Sequence, residues 1–530
     1  MAQRWDMKTF MKGASILTIS AIIVKILSAV YRVPYQNMVG DKGFYIYQQV
    51  YPFIGIFIVW TSYGFAVAVS KLLAGYERVT QRRAMMRIAF VYLFILSALF
   101  FVFLTVFAPS LARAMGDPQL VGLIRAGAYI VVIMPFLAVL KGQFQSTGEM
   151  IPVAVSGVGE QAVRVAIVLV GTWIAMQTGA SLYDAGEVAM WGAVIGELSG
   201  VIILALYMRR AFIGPVEHVR IWPVVKELTI VSISVSASSL ILLFFQLIDS
   251  FTILNTLLEM GTETEEAMAV KGVYDRGQPL VQMGILIATT LALAIVPLIS
   301  HQATRKNGRG EKPFIQTTYR VALLFGVAAS VGLMLVLPYV NEMLFETRDG
   351  SLTLIIFVFQ ILWLSLLLPL TAILQGAGRI AVPTLLLCSG VVLKWLMNEM
   401  LIPIFGVAGA AIAGNGSLII VVIGVLCYFK RIYSFALATM HFYKWLAIAT
   451  VAMIIAVLPW LYMMDHLLFH DAATRSQSAF IALSAVGIGA FVFLLIVLQA
   501  RLLKEKEWYL LPFGKRFARI QLSLLKRKGE

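Results

Sequence analysis

The sequence predicts an all-α polytopic membrane protein with about fourteen transmembrane helices. Hydrophobic residues make up 60% of the chain and charged residues only 13%, and the mean hydropathy is +0.89. Apolar runs long enough to cross a hydrocarbon core of about 30 Å recur along the whole chain. Because a segment in lipid must satisfy its backbone hydrogen bonds internally, runs of this length are predicted to be helices.

Short polar loops separate the apolar runs, and each run is predicted to be one transmembrane helix. The first run follows a basic N-terminus but continues to Pro34 without a small-x-small cleavage site, so we expect it to be retained as a span. The runs lie at residues 13–37, 44–72, 88–112, 119–141, 150–177, 186–208, 225–254, 270–300, 317–341, 352–374, 381–403, 407–429, 443–464 and 477–500.

Lysine and arginine concentrate in every second loop, as in the loops after the second, sixth, eighth and twelfth runs. The intervening loops are poor in basic residues and richer in acid, as at Asp184, Glu187 and Glu263. Basic loops of membrane proteins stay in the cytoplasm, so the alternation predicts that both termini are cytoplasmic. The same loops account for the net charge of +15, and nucleic acid is therefore not expected as a partner.

An internal repeat indicates how the spans are organised. The segment FQSTG at 144–148 opens the fifth run, and LQGAG at 374–378 opens the eleventh. At the same offset Arg164 corresponds to Lys394, each deep in its run. Six runs separate the copies, which predicts two pseudo-symmetric six-helix lobes, an arrangement in which transporters commonly bind substrate between the halves. The predicted divisions are the lobes 1–214 and 215–436, two C-terminal helices in 437–502 and a basic cytoplasmic tail, 503–530.

Ionisable side chains occur inside several predicted spans. A charge at the bilayer centre costs roughly 3 kcal/mol or more, so such groups usually face a cavity or a partner. The candidate site consists of Lys25, Arg32, Glu160, Gln161, Arg164, Asp249, Asp275, Arg276 and Asn398.

The basic members of this set predict a cationic cavity that binds an anion. Lys25, Arg32, Arg164 and Arg276 are the predicted substrate-binding residues, because guanidinium groups grip phosphate and diphosphate in a bidentate manner. The predicted pairing residues of the cavity are Glu160, Gln161 and Asp275.

Two alternatives stay open for these charges. Local ion pairing would join Glu160 to Arg164 at i,i+4, and Asp275 to its neighbour Arg276. Lys25, Lys71 and Arg125 lie near span ends, where long side chains reach the headgroups.

Asp249 has two interpretations of equal weight. It either binds a coupling cation, with Asn398 as a second ligand, or caps the outer end of its helix. The sequence contains neither a P-loop nor a metal-ligand cluster. No bound cofactor is expected, and the driving force is expected to come from the membrane potential or from a Na⁺ or H⁺ gradient. His466 and Asp471 match an acyltransferase H-x4-D spacing, but in an outer loop where a chance match is the better explanation.

Several stretches resemble the lipid II flippase group, meaning the MurJ proteins and their SpoVB-type relatives, within the multidrug/oligosaccharidyl-lipid/polysaccharide exporter superfamily. The resemblance covers essentially the whole chain. Tyr274, Asp275 and Arg276 are similar to the region where MurJ proteins carry an essential cavity arginine, while Lys25 replaces a family arginine and Tyr31 falls where a second is expected. The most specific stretches are KGQFQSTGEMIPVAVSGVGEQAVRV (141–165), AILQGAGR (372–379), GVVLKWLMN (390–398), GVAGAAIAG (406–414) and VKILSAVYRVPYQNMVG (24–40).

The resemblance implies a flippase, not an enzyme, in the bacterial cytoplasmic membrane. It would move an undecaprenyl-diphosphate-linked sugar, lipid II above all, by alternating access. Its partners would be the lipid-linked oligosaccharide diphosphate, membrane lipids and the cell-wall or sporulation machinery. The alternatives are an exporter of another polysaccharide, teichoic or spore-related intermediate, a multidrug or cation antiporter, a membrane acyl- or glycosyltransferase, and a non-transporting scaffold. The excess of basic charge inside the spans argues against a cation antiporter.

Overall fold

The regular structure of the described residues is entirely helical, which confirms the predicted fold class. A computed structural model describes residues 7–76, 78–208, 214–291, 311–433, 435–468, 474–508 and 514–526. Within these residues, 12 helical segments are long and apolar enough to cross a membrane. The chain is therefore a multi-pass helical membrane protein.

Within the described residues, twenty α-helices are numbered in chain order, with two π-helical turns between them. The first eleven are α1 Met7–Val30, α2 Arg32–Val59, α3 Ala66–Ala74, α4 Val79–Val106, α5 Ala108–Ala114, α6 Val121–Thr147, α7 Met150–Gln177, α8 Leu182–Tyr207, α9 Ile221–Glu259, α10 Thr264–Asp275 and α11 Gly277–Gly284. The others are α12 Glu311–Phe345, α13 Ser351–Val358, α14 Gln360–Gly376, α15 Ala381–Phe405, α16 Val407–Ile432, α17 Met440–Tyr462, α18 Arg475–Gln499, α19 Glu505–Trp508 and α20 Gly514–Lys526. The π-helical turns are Trp60–Phe65 and Met463–Leu468.

The twelve candidate spans and the fourteen predicted runs differ at two places. The first candidate, Ile19–Ala74, is 56 residues long and contains both of the first two runs. Its helix is interrupted at Gly40, whose φ of 69° lies in the left-handed region that favours glycine. The eighth run, 270–300, begins in the short helices α10 and α11, and its end lies outside the described residues.

The chain packs as two compact units. The first comprises Met1–Pro279 with Leu387–Ala413, and the second comprises Leu280–Leu386 with Gly414–Glu530. The repeat-based lobes, 1–214 and 215–436, divide the chain by sequence similarity rather than by packing and stay a prediction.

In the first unit, glycines bring α7 and α8 close together beside the candidate site. A Cβ atom on Gly196 would lie 2.8 Å from the carbonyl oxygen of Glu160 and 2.9 Å from Cβ of Arg164. One on Gly200 would lie 2.2 Å from Oε1 of Glu160. Small residues therefore fix the position of the two charged side chains of α7 against α8. Helix α1 packs on α7, and α2 packs on both α9 and α10.

In the second unit, α12 packs against α14, α17 and α18. The predicted basic tail contains α19 and α20. Trp508 donates a hydrogen bond from Nε1 to Oε1 of Gln521 at 3.0 Å, and both side chains are buried. Nε2 of Gln521 also donates to the carbonyl oxygen of Leu503 at 3.1 Å, so the tail helix is held against the segment that follows α18.

Candidate functional site

All nine predicted site residues lie in the first compact unit. Arg32 and Arg276 have no exposed surface, and the other members except Lys25 are buried as well. Lys25 is half-buried on α1. We refer to these residues and the side chains that contact them as the charge cluster.

Arg276 is held by a carboxylate that the sequence analysis did not select. It lies at the break between α10 and α11, and its Nε and Nη2 donate to Oδ1 of Asp41 at 2.9 and 2.7 Å. Nη2 also donates to Oδ2 of Asp41 at 2.7 Å. A Cβ atom on Gly272 would lie 2.1 Å from the carbonyl oxygen of Asp41, so α10 and the kink after Gly40 are in direct contact. The local alternative, in which Asp275 neutralises Arg276, is not the pairing observed.

Asp275 instead forms an ion pair within α10. Lys271 donates from Nζ to Oδ2 of Asp275 at 2.9 Å, and both side chains are buried. The ammonium group of Lys271 also lies 5.6 Å from the ring centroid of Tyr45. The two consecutive charges of the Tyr274-Asp275-Arg276 motif therefore have separate partners.

Glu160 is also paired differently from the i,i+4 alternative. Lys141 on α6 donates from Nζ to Oε2 of Glu160 at 2.8 Å and to the hydroxyl of Ser62 at 3.1 Å. The hydroxyl of Ser156 donates to Oε1 of Glu160. Glu197 on α8 is buried and interacts electrostatically with Glu160, Lys141 and Arg164. Glu160 is thus satisfied without Arg164.

Arg32 and Arg164 have unused hydrogen-bonding capacity. Among the described residues, none of the three guanidinium nitrogens of Arg32 has a hydrogen-bond partner of good geometry, and the same holds for Nε and Nη2 of Arg164. The guanidinium of Arg32 lies 4.6 Å from the ring centroid of Tyr51. Both arginines interact electrostatically with the same three phenols, Tyr31, Tyr47 and Tyr51. The two guanidinium groups therefore share one aromatic environment.

Further buried polar atoms of the cluster lack hydrogen-bond partners within the described part of the chain. They are the hydroxyl of Tyr35, Oε1 of Gln36 and Nε2 of Gln161. The ring of Tyr35 lies 5.0 Å from that of Tyr47, and Gln161 is one helical turn from Arg164 on α7. A buried unsatisfied polar group costs roughly 1–3 kcal/mol, and more when it is charged. Both donors and acceptors are thus available to a polar ligand.

Asp249 lies in a separate part of the cluster, and both of its carboxylate oxygens accept hydrogen bonds. Its Oδ1 accepts from Nζ of Lys394 at 2.7 Å and from Nδ2 of Asn398 at 2.9 Å. Its Oδ2 accepts from the hydroxyl of Tyr274 at 2.8 Å. Asn398 also donates to Oγ1 of Thr252 at 2.8 Å. Asp249 therefore contacts a lysine ammonium in this structure.

Within the described structure, the cluster contains five charged residues that were not predicted as site residues: Asp41, Lys141, Glu197, Lys271 and Lys394. Lys141 and Glu197 lie inside predicted apolar runs, and their charge was a usable signal. Asp41 lies between two runs and had the appearance of a loop residue. Lys271 lies at the edge of a run. The i,i+4 spacing of Lys271 and Asp275 was a usable signal, whereas only the packing of distant segments identifies Asp41 as the partner of Arg276.

Other sequence candidates lie away from the cluster. Lys71 and Arg125 are exposed, and Arg125 donates from Nε to the carbonyl oxygen of Thr105 at 3.4 Å. Asp471 and the side chain of His466 fall outside the described residues.

The fold and the charge cluster define a polytopic helical membrane protein with buried, partly unpaired cationic groups. The polysaccharide biosynthesis protein family matches residues 10–303. An uncharacterised membrane protein of Bacillus subtilis (strain 168), YabM, is 35% identical over 522 residues, covering 96% of each chain. This chain therefore belongs to the polysaccharide biosynthesis protein family.

Two further comparisons concern flippases. The lipid II flippase MurJ of Bacillus subtilis (strain 168) is 26% identical over 433 residues, which is 76% of this chain and 79% of that protein. A solved structure of a lipid II flippase MurJ in an inward closed conformation superposes with a TM-score of 0.69 at 13% identity, covering 91% of this chain and 97% of the other. The resemblance to the lipid II flippase group is confirmed, and the last comparison bears on the fold alone.

Proposed function

We propose that this protein is a flippase that moves an undecaprenyl-diphosphate-linked sugar across the bacterial cytoplasmic membrane, with lipid II as the first substrate to test. The observation that carries the proposal is the pair of buried arginines, Arg32 and Arg164: all three guanidinium nitrogens of Arg32, and Nε and Nη2 of Arg164, lack hydrogen-bond partners among the described residues. The similarity to a protein described as a lipid II flippase supports the same substrate class.

The two arginines suit a diphosphate for electrostatic and geometric reasons. The nearby basic groups Lys141, Lys271 and Arg276 are each neutralised by a carboxylate. Arg32 and Arg164 donate no hydrogen bond to a carboxylate from these unpartnered nitrogens, although Glu197 interacts electrostatically with Arg164, and they are the cations available to a ligand. A diphosphate supplies the acceptor oxygens that they lack, and a planar guanidinium binds two of them at once. The neutral donors and acceptors of Tyr35 and Gln161 are placed to contact the sugar beside it.

The mechanism that follows is alternating access with the lipid tail in the bilayer. In this structure Arg32 has no exposed surface, so a substrate enters only after the helices around it separate. In this proposal both termini are cytoplasmic and the substrate moves outward. Its negative charge then moves toward the positive side of the membrane, which is favourable. For two charges this supplies roughly 4–5 kcal/mol per 100 mV. The potential, or an H⁺ or Na⁺ gradient, is the proposed driving force.

A multidrug or cation antiporter is the less favoured alternative. Such a transporter needs an unpaired carboxylate to attract a cationic substrate. Glu160, Asp249 and Asp275 each contact a lysine ammonium within 3 Å. The charged groups of the cluster with atoms that lack hydrogen-bond partners among the described residues are the guanidinium groups of Arg32 and Arg164, so the cluster favours an anionic ligand.

The proposal is tested by lipid II translocation in cells depleted of their other flippases. The wild-type chain is expected to relieve accumulation of lipid II on the inner leaflet, whereas Arg32→Ala and Arg164→Ala are expected to fail at equal membrane abundance. Arg125→Gln is the matched control, because Arg125 is an arginine of a predicted span whose side chain is exposed. Full activity of both alanine variants would exclude the arginine pair as the diphosphate site.

The sugar is identified by binding measurements on the purified protein. Lipid II, teichoic acid precursors and capsule intermediates share the polyprenyl diphosphate and differ in the headgroup. A preference for a precursor other than lipid II would assign the chain to a different cell-wall or spore-related intermediate and would leave the diphosphate site unchanged.

A further inference from the structure

Lys394 on α15 lies beside Asp249 of α9 and Ala410 of α16. Nζ of Lys394 lies 2.7 Å from Oδ1 of Asp249 and donates to the carbonyl oxygen of Ala410 at 2.8 Å. The side chains of Lys394 and Asp249 are 1% and 5% exposed, respectively. The lysine ammonium is therefore buried between a carboxylate and a backbone carbonyl.

The oxygen atoms around this ammonium are those that a hard metal cation binds. Carboxylate, carbonyl, amide and hydroxyl oxygens are the usual ligands of such cations. Asp249 and Ala410 supply the first two to Lys394, and the hydroxyls of Thr252 and Tyr274 lie in the same network. The amide of Asn398 presents its NH₂ group, not its oxygen, to Asp249. As arranged here, the residues expected to bind a coupling cation do not fit one, because an internal cation already occupies the carboxylate.

The internal repeat makes the position of Lys394 more informative. Lys394 corresponds to Arg164 at the same offset in the other copy. Arg164 has two guanidinium nitrogens without partners in the described structure, whereas the single ammonium of Lys394 has two acceptors. At equivalent positions of the repeat, Arg164 therefore retains donors for a ligand, whereas the ammonium of Lys394 is already bound by acceptors of the protein.

We propose that Lys394 is a built-in cation, whose ammonium takes the place of an alkali metal ion at Asp249 so that this site works without Na⁺. The part of this inference that concerns translocation rests on the proposed function. Its binding part concerns the protein alone.

The binding part is tested with the purified full-length protein by thermal unfolding in NaCl and in choline chloride. We expect the unfolding temperature of Asp249→Asn to differ between the two salts by the same amount as that of the wild type. Lys394→Met, which keeps the side-chain length but removes the charge, leaves Asp249 free to bind Na⁺. It is expected to gain a Na⁺-specific rise in unfolding temperature that Asp249→Asn removes in the double variant. Lys394→Arg, which keeps a cation, is expected to gain none.

Two results would overturn the inference. One is a Na⁺-specific stabilisation of the wild type that Asp249→Asn abolishes, a comparison that needs no lysine variant to fold. The other is a well-folded Lys394→Met protein that gains no Na⁺ response. Translocation by the wild type is expected to be equal in Na⁺ and choline media. Loss of translocation in both media would refute the proposed function and leave the binding result standing.

Discussion

Replacing two buried cations of the charge cluster by methionine should change stability by very different amounts. Arg32→Met removes a guanidinium whose three nitrogens lack hydrogen-bond partners in the described structure. Lys141→Met removes the partner that lies 2.8 Å from Glu160. Methionine fills a similar unbranched volume in both cases, so packing changes are small.

The magnitudes follow from what each side chain contacts. Removing the unsatisfied donors of Arg32 should stabilise the protein by roughly 1–3 kcal/mol. Losing the contact with Tyr51 should destabilise it by about 2 kcal/mol. The net change for Arg32→Met is therefore within about 2 kcal/mol of zero. Lys141→Met leaves a buried, negatively charged Glu160 with only the Ser156 hydroxyl as a local partner, which should cost about 3–5 kcal/mol.

The assay is thermal unfolding of the detergent-purified variants, followed by the fluorescence of the 10 tryptophans. Arg32→Met should unfold near the wild-type temperature while losing translocation, and Lys141→Met should unfold well below it. The double variant of Lys141→Met with Glu160→Met should recover most of the loss, because the carboxylate that Lys141 neutralises is removed with it. If Arg32→Met were as destabilised as Lys141→Met, Arg32 would have a structural partner and would not be reserved for a ligand.

Three single variants and one charge swap test the contact between α2 and α10. Asp41→Asn should lower the free energy of unfolding by up to about 3 kcal/mol, since Arg276 is fully buried and Asp41 partly exposed. The swap Asp41→Arg with Arg276→Asp should restore part of this loss in the same unfolding assay. Gly272→Ala should cost about 1–3 kcal/mol, because its Cβ would meet the backbone of Asp41. Gly40→Ala should cost only about 1–2 kcal/mol, since its φ is +69° but nothing lies within 4 Å of the added carbon.

Each of these has a result that would contradict it. Wild-type stability of Asp41→Asn would show that Arg276 has another sufficient partner. A tolerated Gly272→Ala would mean that α10 moves away from Asp41 without cost. A greater loss for Gly40→Ala than for Gly272→Ala would reverse the predicted order of backbone strain and steric overlap.

The sequence was sufficient to predict the helical membrane fold and most members of the charge cluster. Whether an apolar helix is buried in lipid depends on run length and composition, which are local properties. The regular structure of the described residues is entirely helical, which confirms the predicted fold class. A charge inside such a run is also a local signal, and Arg32, Glu160, Arg164 and Asp275 are all buried in the structure, while their roles at a substrate site stay predictions. The break at Gly40 falls between the first two predicted runs, whereas the break at Arg276 was missed, because a turn between short helices leaves the apolar pattern almost unchanged.

Only the tertiary structure decided which charge contacts which. Glu160 is i,i+4 from Arg164 in sequence but pairs with Lys141 on another helix, and Arg276 pairs with Asp41 rather than with its neighbour. Arg164 and Lys394 are equivalent in the repeat, yet one retains free donors and the other is neutralised by Asp249. The physical reason is that an ion pair depends on distances of a few ångströms between helices distant in sequence. Sequence determines that a charge is inside the membrane, and packing determines whether it remains available to a ligand.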